Sequence, residues 1–151
     1  MRLNRSGEEH IKFIDDFELG NLHLAYQGSP KSSKKAFISN GAICNEVYKD
    51  LVDASSSYDL YSLPIIKPLL VDKIIEKLIM YEEIIIVEEH QLIGGLGATI
   101  QEILYDSFSS SNISSLPKIF RIGIQDTFQS VAGTQDFLRE RAGLFNYRKY
   151  L

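Results

Sequence analysis

Residues 82–104, EEIIIVEEHQLIGGLGATIQEIL, most constrain what this chain can fold into. Ile84 to Val87 form an unbroken β-branched run, which suits a strand covered on both faces, as in the parallel sheets of α/β domains. Glu88-Glu89-His90 closes the run. Glycines at 94, 95 and 97 then open a segment in which Leu96, Ile100, Ile103 and Leu104 recur at helical spacing, with Gln101 and Glu102 turned outward. Strand, loop and helix make one half of a βαβ unit.

A glycine cluster between strand and helix raises the question of a bound phosphate. The dinucleotide turn G-x-G-x-x-G/A lets the backbone approach a pyrophosphate at the helix N-terminus. Gly95-Leu96-Gly97 supplies its first half, but Ile100 stands at the third glycine position, and G-x-x-x-x-G-K-[ST] is absent. The favoured reading of Gly94, Gly95 and Gly97 is a tight turn with close helix-to-strand packing; an anion loop is the competing one. His90, flanked by two carboxylates, invites a base or metal role. It lacks a second histidine at helical spacing, and His10 and His23 fall in unrelated segments. Structural or interface use of Glu88, Glu89 and His90 is therefore favoured over direct chemistry.

Along the chain, Asn21 to Gln27 alternates Leu22, Leu24 and Tyr26 with His23 and Ala25, which predicts an edge strand with one solvated face and an exposed His23. Gly28-Ser29-Pro30 and the following lysines and serines read as a turn. Lys35–Ser39 reads as a second strand, and residues 42–54 as a helix with Ile43, Val47 and Leu51 inward and Glu46, Lys49, Asp50 and Asp53 outward. Tyr58–Leu63 is a third strand. Pro68 is placed near the first position of a helix over 69–81 that buries Leu70, Ile74, Ile75, Leu78 and Ile79. Serine-rich residues 107–115 read as a mobile loop. Pro117–Ile124 is the last strand, and Gln135–Arg141 a short helix docking Phe137 and Leu138, followed by a basic tail with Arg148 and Lys149. This alternation implies a mainly parallel sheet with helices on both faces.

With 151 residues, 44% hydrophobic and 24% charged, the chain fits one globular domain. No apolar run nears the roughly 20 residues of a spanning helix, and no signal peptide is evident, so the expected location is the cytoplasm, away from membranes. A net charge of −4 offers nucleic acid no attraction, and Lys31, Lys34 and Lys35 read as a solvated loop. The single cysteine, Cys44, reads as a small buried packing residue.

The segment Ile84–Leu104, an apolar strand followed by Glu-Glu-His, Gly-Gly-x-Gly and an apolar helix, resembles the C-terminal domain of transketolase-type enzymes that depend on thiamine diphosphate. Arg121-Ile122-Gly123-Ile124-Gln125-Asp126-Thr127-Phe128 is similar to a second signature of that domain, with Gln125 where many relatives have proline; Ile66-Lys67-Pro68 is a third likeness. The resemblance implies a three-layer α/β/α domain with a five-stranded, mostly parallel sheet in the order 1-3-2-4-5, strand 1 antiparallel. Met1 to Glu8 resembles the exit of the preceding pyrimidine-binding domain, with Asn4 for the usual glycine. Residues 1–18 are thus expected to be a poorly ordered linker, Met1 a boundary or the start of a short subunit, and 19–151 the C-terminal-like domain.

In that family the diphosphate is held through Mg²⁺ by Gly-Asp-Gly with a following Asn, and a glutamate of the pyrimidine-binding domain activates the ring. Gly-Asp-Gly is absent here. The resemblance therefore implies no cofactor or metal in this chain, thiamine diphosphate and Mg²⁺ in the intact enzyme, and no catalytic residue or activity in the chain alone. Expected partners are the cofactor-binding and pyrimidine-binding parts, in the same chain or a separate subunit, and a second copy in a homodimer. The candidate interface or anion loop comprises Glu88, Glu89, His90, Gly94, Gly95, Gly97, Arg121 and Asp126. The wording leans towards two-carbon ketol transfer between sugar phosphates. A 1-deoxyxylulose-phosphate synthase, a 2-oxo acid dehydrogenase beta chain, and a free-standing small-ligand or protein-binding module remain as alternatives.

Overall fold

The computed structural model describes residues 10–29, 34–110, 115–128 and 130–151. The elements are β1 (His23–Tyr26), β2 (Lys35–Ser39), α1 (Ile43–Asp53), β3 (Asp59–Ser62), α2 (Val71–Leu78), β4 (Glu83–Gln91), α3 (Leu96–Ser110), β5 (Lys118–Ile124), α4 (Gln135–Arg141) and a 3₁₀ helix (Leu144–Tyr150). They form a five-stranded sheet in the order β1-β3-β2-β4-β5. β1 runs antiparallel to β3, and the other pairings are parallel, with Phe37 opposite both Leu60 and Ile85. The expected three-layer architecture and strand order are those observed.

Each central strand feeds both cores, because successive side chains leave opposite faces of the sheet. Ala36, Ile38, Ile84 and Ile86 meet Ile74 and Leu78 of α2 and Leu96, Ile100 and Leu104 of α3. Phe37, Ile85 and Val87 meet Ile43, Val47 and Leu51 of α1, and Tyr147 of the 3₁₀ helix. Ile84 to Val87 are all fully buried, which is why that run carries no polar residue. Each such side chain contributes about 1.5–3 kcal/mol of burial free energy. Cys44 is buried beside α1's apolar stripe, and burial pushes its thiol up to about 11.

Several expectations are corrected. His23 is fully buried: residues 10–18 fold back along β1, where Ile14 N donates to Leu24 O at 2.7 Å and Leu24 N to Asp15 Oδ1 at 2.9 Å. Phe13 and Phe17 stack on the His23 ring at 4.9 and 4.6 Å, and its Nε2 lies 3.0 Å from Glu18 O. Period two detected the strand but not the segment that covers its second face. Residues 10–18 are thus ordered against β1, while Met1 to Glu9 lie outside the described residues.

Residues 107–110, read as loop, complete the last turn of α3; residues 111–114 lie outside the described set, as do Pro30 to Ser33 and Gln129. α2 begins at Val71, so Pro68 belongs to the preceding loop, and Ile79 is exposed beyond the helix end. In α4 the buried side chain is Arg139, whereas Phe137 is exposed. The presumed basic tail closes the core: Leu144 and Tyr147 are buried, and the Tyr147 hydroxyl donates to Asp50 Oδ2 at 2.6 Å.

Candidate functional site

After β2 the chain turns to α1 on one face of the sheet, and after β4 to α3 on the other. Because β2 and β4 are neighbours, their carboxyl ends form the switch point beside which α/β domains take ligands. Seven of the candidate residues lie on or near β4, α3 and β5 at this end, and the eighth, Asp126, lies just beyond β5.

Glu88 is the centre of the site. Its carboxylate is 1% exposed and sits across the N-terminus of α3: Oε2 accepts from Leu96 N at 2.5 Å and Oε1 from Gly97 N at 3.0 Å. These are the N–H groups that a helix leaves unpaired and that a phosphate here would need. A Cβ on Gly95 would overlap the Glu88 carboxylate. One on Gly97 would lie 2.5 Å from Arg121 Cδ and 3.2 Å from Glu88 Oε1. Gly94, at φ +72°, makes the left-handed turn into the helix, with open space around it. The glycines therefore house a carboxylate of the chain itself, and the residues present do not fit a diphosphate at this helix end.

Glu89 points to the opposite face, where Oε1 accepts from Arg139 Nε at 2.6 Å and from Gln135 Nε2 at 3.3 Å. Arg139 also lies 3.8 Å from Glu46 and 3.4 Å from Asp136. Burial opposes charge on this guanidinium, but the Glu89 bond and the surrounding carboxylates outweigh it and hold its pKa above the usual arginine value. Glu89 and Glu46 thus tie α4 to β4 and α1. Arg139 escaped sequence reasoning; its signal is the Gln135/Arg139 pair on one face of α4, meaningful only once both acids are brought beneath it.

His90 is exposed, with Nδ1 3.0 Å from the neighbouring Gln91 O, and Asp126 is exposed in the loop after β5. Neither meets the other candidates. Arg121 packs its stem near Gly97, and no hydrogen bond or ion pair joins it to another described residue. Among the described residues no group of three or more His, Cys, Asp or Glu is arranged to hold a metal, and no helix is long and apolar enough to cross a membrane.

The model of the family "Transketolase, C-terminal domain" matches residues 37–138. The chain belongs to the transketolase C-terminal domain family. No curated protein matches it in sequence. Among solved structures, a split gene transketolase, described as an inactive beta4 tetramer, superposes with a TM-score of 0.71 at 23% identity, over 97% of this chain and 45% of that one. The two share the fold, and this chain spans less than half the length of that structure. The family match runs from within β2 into α4, so it contains Glu88, Glu89 and the glycines and ends one residue before Arg139.

Proposed function

We propose that this chain is the C-terminal domain or short subunit of a transketolase-type enzyme, which supports assembly and performs no two-carbon ketol transfer by itself. The family match over 37–138 carries the reading. It is supported by the closed switch point, where Glu88 already occupies the helix end that a ligand would use. Thiamine diphosphate and Mg²⁺ would bind to the cofactor-binding and pyrimidine-binding parts, in the same chain or a separate one. Residues 1–18 would lead in from the latter, and the intact enzyme would work in the cytoplasm as a homodimer on sugar phosphates. Exposed His90 and Asp126 would face a neighbouring part, while Glu88, Glu89 and the glycines shape the edge that presents them.

The test is reconstitution. The purified chain is mixed with a polypeptide carrying the Gly-Asp-Gly and pyrimidine-binding parts of a transketolase encoded beside it. Co-elution, with turnover of a ketose phosphate donor only in the mixture, is expected. Absence of any complex, or turnover by the chain alone with thiamine diphosphate and Mg²⁺, would overturn the reading.

A further inference from the structure

β5 ends the sheet and pairs only with β4 among the described strands. Lys118 N donates to Glu82 O and Leu92 N to Ile124 O, so the even-numbered residues of β5 turn their backbone groups towards β4. By strand alternation, the N–H and C=O groups of Ile119, Arg121 and Gly123 face outward, a template for another strand.

Beside this edge, a groove of about 460 Å³ is floored by Leu104, Leu116, Pro117 and Ile119, with Glu102 and Tyr105 of α3 on its rim. Three features of the edge are self-complementary. Ile119 lines the groove, Arg121 lies two residues on along the same face without a described ion-pair partner, and Phe120 is 38% exposed on the opposite face.

We propose that β5 pairs antiparallel with β5 of a second copy of this chain, about Phe120, to make one continuous sheet. In that register Phe120 faces Phe120 of the other copy at a non-hydrogen-bonded position. Ile119 exchanges backbone hydrogen bonds with Arg121, and each Arg121 is set at the other copy's groove, beside Glu102. The two α3 helices then lie on the same face of the joined sheet. Centring the pair on Arg121 would oppose like charges, which selects the register about Phe120.

This deepens the self-association in the proposed function. Its test uses the 151-residue chain alone, so its failure leaves the family reading standing. Sedimentation equilibrium should show a dimer. Arg121→Glu should weaken it by about tenfold, and combining Arg121→Glu with Glu102→Arg should restore it. Independently, Phe120→Cys should give a disulfide-linked dimer on mild oxidation, because directly opposed residues of such a pair have Cβ atoms about 4.5–5.5 Å apart. A chain that stays monomeric, or a dimer that is insensitive to the charge swap and does not cross-link, would overturn the proposal.

Discussion

Glu88 lies where the chain leaves β4 for α3, and its carboxylate closes the end of the sheet that ligands use in other α/β domains. Glu88→Ala should cost about 2–3 kcal/mol in denaturant unfolding, since it orphans two buried helix donors and removes a charged acceptor. Gly95→Ala should cost a similar amount, roughly 1–3 kcal/mol, because the new methyl overlaps that carboxylate and approaches Gln91 O. Were either variant as stable as the parent, the capping role would be refuted. A second prediction concerns alkali. Burial, and donation to Glu83, Asp59 and Asp50, raise the phenols of Tyr58, Tyr81 and Tyr147 above their ordinary value of 10. The unfolded chain would lose these protons near pH 10 while the folded chain keeps them. Their stabilisation is therefore present below pH 10 and lost as the pH rises beyond it. A phenolate absorbance titration should show a late group of tyrosines that ionises together with the loss of tertiary signal; ionisation of all of them near pH 10 in folded protein would contradict this.

The elements that were legible in the sequence are those with a clean period. The fully apolar run of β4, the fourfold spacing of α1 and the strand of β2 emerge with little change, because local pattern and final burial agree. What local pattern could not show was coverage from a distance. His23 is buried by Phe13 and Phe17, the outward acids Glu46 and Asp50 anchor Arg139 and Tyr147, and the C-terminal aromatics pack through a 3₁₀ helix with no regular apolar stripe. At the site, the glycine cluster was visible as a turn, whereas its occupant, Glu88, was evident only once strand and helix were juxtaposed. Two predictions belong here. Arg139→Met should lower stability by about 2 kcal/mol, less than a fully buried pair because Glu89 keeps some water. It should also raise amide exchange in α4 before that in β4; uniform exchange across both would argue against α4 being held by this one side chain. His23→Ser should loosen residues 10–18 and let chymotrypsin cleave after Phe13 and Phe17, whereas the parent resists cleavage there; equal cleavage of both proteins would show that the stacked rings do not hold residues 10–18.

Taken whole, the molecule is a three-layer domain of the transketolase C-terminal family with two differently finished sheet edges. Residues 10–18 cover β1, while β5 leaves the outward groups of Ile119, Arg121 and Gly123 without partners among the described residues. With the carboxyl edge filled by Glu88 and Arg139, the proposed role is played at surfaces rather than in a pocket. The most direct test is a two-component assay of this chain with a polypeptide carrying the thiamine-binding parts of a transketolase, each measured alone and then together with thiamine diphosphate, Mg²⁺ and sugar phosphates. Turnover that is absent from this chain alone and rises when it joins a stable complex is the predicted result; turnover by this chain without the other, or a catalytic part indifferent to its presence, would contradict the account.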